Sequence, residues 1–178
     1  MAYIYHRVPH NMAGKVLYPL NQLRDKYPEA YAEHAAKYDQ REWLPKRRVP
    51  YLDCLWNDVL FFSPVHPEQA KQAIESLGHE FRPSQFFRIP AERLPADKTV
   101  VFLYLKKFGK RDTDESNLEN WERYDPEKIG SYSELPPETV EYFEERFALN
   151  KRPLLWVYVP HILYRGTLDT RELDVVEI

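Results

Sequence analysis

This chain has one cysteine, five glycines and no long apolar run among its 178 residues. A lone Cys54 excludes an internal disulfide and a cysteine-rich metal site. It lies between Leu52 and Leu55, where a buried, inert thiol is expected. The glycines form neither GxGxxG nor a P-loop pattern, which argues against Rossmann-type and P-loop phosphate sites. No apolar stretch approaches the ~20 residues that span a bilayer, so no membrane contact is expected. The first residues lack the charged and apolar regions of a secretory signal, and a reducing cytoplasm is the expected setting. Charge is balanced too: 25 basic and 28 acidic side chains give a net charge of -3. That excludes a generally nucleic-acid-coating surface but leaves room for a local basic patch.

Catalytic signatures are also scarce. The histidines His6, His10, His34, His66, His79 and His161 show no HxH or HExxH spacing, so no metal site is expected. The nucleophile elbow GxSxG is absent, and Ser63 precedes a proline, which argues against a serine hydrolase. The acidic residues of the helical stretches form no glycosidase-like carboxylate pair.

Aromatic residues are abundant, with 13 Tyr, 9 Phe and 4 Trp. They suit a core poor in aliphatics, or platforms on which bases stack. Three apolar runs are read as strands that end in polar groups. Ile4 to Val8 leads into Pro9-His10-Asn11, Val59 to Ser63 leads into Pro64 and Pro67, and Leu154 to Val159 leads into Pro160-His161. Such strands predict a sheet with a site at one end. His6 sits where a strand meets a loop and suits either a ribose hydroxyl or acid–base work, or simply caps backbone groups.

Further strands are expected at Gln85 to Ile89, Thr99 to Leu105 and Leu173 to Ile178. The short link Pro90 to Lys98 predicts neighbouring strands. Helices are expected over 12 to 26, with Pro19 as a start or kink, over 28 to 44, from Pro67 to Leu77, and from Glu138 to Phe147. Gly78 lies just past the third of these. Lys46-Arg47-Arg48, held between two prolines, is a solvated loop or a cradle for phosphate oxygens. Lys106 to Glu119 is charged, lacks an apolar period and reads as a mobile loop. Together these predict one α+β domain over residues 1 to 178, with strands and flanking helices and no regular βαβ alternation.

On these residues the chain resembles the ADP-ribosyltransferase superfamily, nearest the DarT-type and RNA 2'-phosphotransferase-like branch. Ile4-Tyr5-His6-Arg7-Val8 resembles the first strand of that family, and Val59 to Pro64 with Pro67 resembles the second. Leu154 to Val159 with Pro160, followed by a terminal strand, resembles the closing part of the fold. The resemblance implies a split mixed β-sheet with flanking helices gripping NAD as substrate, with nucleic acid as the acceptor and a toxin role by family analogy alone. It implies that His6 binds ribose hydroxyls and that Phe61 or Phe62 stacks on nicotinamide, with Ser63 beside them. Arg7 and Arg41 become candidates for phosphate contact, and Tyr38 a wall of the same cleft.

Breaking the glycosidic bond develops positive charge on the ribose carbon, which a carboxylate normally stabilises. Where the family carries its glutamate this chain has Leu154, Leu155 and Trp156. The resemblance leaves three alternatives: an acid from elsewhere, participation of His161, or a non-catalytic nucleotide- or protein-binding module that keeps the cleft.

Overall fold

The computed structural model describes residues 1–12, 14–36, 43–105 and 117–178. It is an α+β fold with two principal sheets. Strand β1 (Tyr3–Arg7) is followed by β2 (Val16–Leu17) and helices α1 (Leu20–Lys26) and α2 (Pro28–Ala35). A hairpin of β3 (Arg48–Val49) and β4 (Cys54–Leu55) precedes β5 (Leu60–Phe62) and α3 (Pro67–Ser76). Then come β6 (Gln85–Pro90), β7 (Thr99–Phe102), β8 (Trp121–Arg123) and α4 (Pro137–Ala148). The chain closes with β9 (His161–Tyr164), β10 (Leu168–Asp169) and β11 (Asp174–Glu177).

One sheet runs β1-β6-β11 and the other β5-β9-β7-β8, with β2 paired to β10 apart from both. The sheet is split, as expected, but not mixed. Every ladder among the described residues is antiparallel. Without βαβ units nothing brings two strands round in the same direction. A single bridge joins the sheets: Tyr5 and Ser63 exchange backbone hydrogen bonds of 2.7 and 2.9 Å. Between the sheets Ile4, Phe62, Phe87, Ile89, Val101 and Ile162 form the central core. The other face of the four-stranded sheet is covered by α1 and the 43–58 segment around Trp56 and Trp121. Helices α3 and α4 close a third cluster.

Local chemistry accounts for the helix ends. Pro67 occupies the first turn of α3 and Glu68 faces the positive end of the helix dipole. The His66 ring accepts a hydrogen bond from the Glu68 amide at 3.1 Å and caps it. Gly78 follows at φ +80°, the left-handed position that ends many helices. In α4 the buried Thr139, Tyr142 and Phe143 form one stripe, at the spacing that turns a helix face inward.

Several expected elements differ. Leu154 to Val159 is not a strand but a run of turns. Its backbone partners come from α4: Thr139 Oγ1 donates to the Val157 carbonyl at 2.9 Å, and Tyr142 Oη accepts from the Leu154 amide at 3.3 Å. Tyr158 takes φ +63°, which breaks any extended run. The strand begins only at His161. The stretch 12 to 26 is no single helix; Val16–Leu17 pairs with β10, and α1 starts after Pro19. The Pro90 to Lys98 link joins strands of different sheets, through turns at Ala91–Arg93 and Ala96–Lys98. Cys54 is buried, as expected, and burial pushes its thiol up to about 11. Among the described residues no helix is long and apolar enough to cross a membrane. The loop expected over Lys106 to Glu119 falls mostly on 106–116, outside the described residues.

Candidate functional site: a cavity at the edge of β5

A cavity of about 1340 Å³ opens where the edge of β5 meets the end of β1. Strand β5 lies at the edge of its sheet, so one side of its backbone lacks a strand partner there. His6 meets it: its Nδ1 lies 2.7 Å from the carbonyl oxygen of Phe61, 55 residues away. A carbonyl can only accept, so Nδ1 carries the proton and donates to it.

The wall is built from five stretches, one of them residues 83–85. His6 and Arg7 end β1, and His10 and Asn11 follow them. Asn57 and Phe61 come from the segment around β5, and Tyr27 and His34 from the helical pair α1–α2. Glu177 of β11 is the sole carboxylate among the described lining residues. It is exposed, and its Oε1 accepts from Gln85 Nε2 at 2.7 Å. Arg7 at the rim donates to Ser84 Oγ at 2.7 Å. A polar network ties α2 over the opening. Glu33 lies 2.7 Å from His10 Nε2 and accepts from Asn11 Nδ2 at 2.6 Å, while His34 Nε2 lies 3.2 Å from Asn11 Oδ1. Among the described residues no three His, Cys, Asp or Glu side chains converge as metal ligands.

Of the residues singled out in the sequence, His6, Arg7 and Phe61 share this cavity. Phe62 lies beneath it in the inter-sheet core, 2 % exposed, its ring 5.5 Å from that of His6. Ser63 is buried and turns back on its own chain, where its Oγ accepts from the Val65 amide at 3.1 Å. It therefore shapes the bridge between the sheets and does not line the cavity. Tyr38 and Arg41 lie outside the described residues.

His161 stands apart. It is on the other side of Phe61, whose ring lies 6.3 Å from its own, and Phe102 and Tyr104 also contact it. Its Nδ1 lies 2.7 Å from the Val159 carbonyl. The residue keeps some exposed surface, but the aromatic walls around its ring dominate, and burial pushes its pKa down to about 4. It is neutral at pH 7 and does not line the cavity.

Tyr27, His34, Asn57 and Glu177 are lining residues that sequence reasoning did not single out for the site. The stretch around Asn57 has no hydrophobic period, and the pairing of β11 with β6 leaves no local trace.

No known family profile, curated protein or solved structure matches this chain.

Proposed function

We propose that this cavity binds a nucleotide, with NAD the first candidate, and that the chain is an ADP-ribosyltransferase-like protein. The observation that carries the reading is the His6–Phe61 hydrogen bond. It brings a hydrogen-bonding imidazole and an aromatic ring into one cavity, larger than the ~300–1,000 Å³ typical of small-molecule sites. In this reading Nε2 of His6 accepts from a ribose hydroxyl, Phe61 covers the nicotinamide, and Arg7 meets phosphate. A nucleic-acid acceptor draws support from the surface around the β3–β4 hairpin. There the exposed Trp43 and Tyr51 rings are each covered by a guanidinium, Arg47 at 4.8 Å and Arg123 at 4.8 Å. Stacking rings beside cations suit single-stranded nucleic acid.

One observation favours a second reading, a non-catalytic nucleotide-binding module. Cleaving the glycosidic bond calls for a negative group beside the ribose carbon. His161 is neutral and outside the cavity, and Glu177 is exposed and already bonded to Gln85. Two measurements separate the readings. NAD at a hundred times its dissociation constant stabilises either protein by about 2.7 kcal/mol. Release of nicotinamide, lowered about a hundredfold or more by Glu177→Gln, marks the enzyme. Stabilisation without release marks the module, and the absence of both removes the nucleotide reading.

A further inference from the structure

Asn57 differs from every other polar residue of the described cavity wall in being buried, 5 % exposed. Its Oδ1 is closed to solvent and has no hydrogen-bond partner. Native structures leave few buried polar atoms unpaired, and those that remain call for a cause.

Nor can the backbone drift to find a partner for it. Asn57 sits in the turn Trp56–Asp58, and both neighbours are pinned. Asp58 accepts from the Leu55 amide at 2.8 Å and from Asn21 Nδ2 of α1 at 2.7 Å. Trp56 packs on Phe61 at 5.0 Å and on Phe102 at 5.9 Å. The fold thus holds an amide in the wall of the cavity that Phe61 also lines, and pairs its oxygen with nothing.

We infer that Asn57 selects the ring of the bound nucleotide, turning its carboxamide oxygen to an NH2 donor at the edge of that ring. The inference rests on the nucleotide reading of the cavity. A side-chain amide offers one acceptor and one two-hydrogen donor, and rotation about its last bond exchanges them, so either end can be turned to the ligand. Adenine presents the complementary edge through its amino group and neighbouring ring nitrogen, the pairing asparagine makes with that base in nucleic acids. The primary amide of nicotinamide presents the same pair of functions. NAD carries both, and Phe61 supplies an aromatic face next to either.

The test titrates the full chain with NAD and two analogues. One carries a carboxylate in place of the nicotinamide amide, and the other hypoxanthine in place of adenine. Wild type is expected to bind one analogue at least about tenfold more weakly than NAD, the loss expected for a missing hydrogen bond at a buried partner. Which analogue suffers identifies the ring. Asn57→Ala is expected to bind NAD and that analogue alike, and to melt no lower than wild type without ligand, because it removes an unpaired oxygen. Equal binding of all three by wild type overturns the inference, as does discrimination that survives in Asn57→Ala. Loss of the fold in both Asn57→Ala and Asn57→Ser also overturns it, by showing that the side chain holds the turn. Binding of none of the three by wild type is a different failure: it removes the nucleotide reading itself, and the inference with it.

Discussion

Two histidines in this molecule make the same hydrogen bond and do different work. His6 and His161 each place Nδ1 2.7 Å from a backbone carbonyl, Phe61 in one case and Val159 in the other. The first bond spans 55 residues and fixes an imidazole at the wall of a large cavity. The second spans two residues, and the ring it orients is enclosed by Phe61, Phe102 and Tyr104. Phe61 touches both histidines, His6 through its carbonyl and His161 through its ring. Residue type and polar partner are thus alike at the two histidines, and the surrounding surface is what differs.

The contrast breaks most visibly at His161. Replacing it with alanine empties an aromatic pocket and leaves the Val159 carbonyl without its donor. We expect a loss of about 2–4 kcal/mol in denaturant unfolding. NAD affinity should be unchanged, and a tenfold change would place His161 in the ligand site.

The next effect is on pH. The folded protein holds His161 neutral down to about 4, whereas an unfolded histidine binds its proton near 6.5. Between these values the unfolded chain binds more protons, so stability is full above pH 6.5 and falls as the pH drops towards 4. The loss reaches at most about 3 kcal/mol, and less where water screens the ring edge. His161→Gln should flatten this slope, measured by urea midpoints between pH 4 and 7. An unchanged slope would assign the acid sensitivity to other groups.

His6→Ala should act the other way round. Under the proposed function it removes a ligand contact, and NAD affinity should fall about tenfold to a hundredfold. The inter-sheet core should hold, because the Tyr5–Ser63 bridge and Ile4 remain in place. Calorimetric titration together with far-ultraviolet dichroism checks both halves of the statement.

The smallest expected effect is a control. Tyr124 Oη donates to the Ala91 carbonyl at 2.6 Å in the buried core, and burial raises its hydroxyl pKa far above the usual tyrosine range. Tyr124→Phe should cost about 1 kcal/mol and alter neither NAD affinity nor the acid slope. A change in either would mean that the two histidine sites are coupled through the core.

The His6 half of this contrast is legible in the sequence and the His161 half is not. Tyr3–Arg7 and Leu60–Phe62 show as strands because β-branched and aromatic residues run up to prolines or polar turns. Helix α3 shows because Pro67, Glu68 and Gly78 punctuate it. Leu154 to Val159 carries the same apolar composition as a strand, and a short apolar run does not reveal whether it is extended or packed as turns. What decides it is tertiary: Thr139 and Tyr142 of α4 take its backbone groups. His161 consequently opens a strand and faces aromatic rings, where the sequence places it after a strand and at a site. The two-residue strands β2 and β10, paired across 150 positions, leave no local signal either.

The most direct test follows the imidazole resonances of His6 and His161 by NMR during a titration with NAD. The account predicts that the His6 signals shift, together with those of the cavity residues His10 and His34, while His161 stays in place at every ligand concentration. A shift of His161 with His6 unmoved, or no shift of any histidine at millimolar NAD, would contradict it.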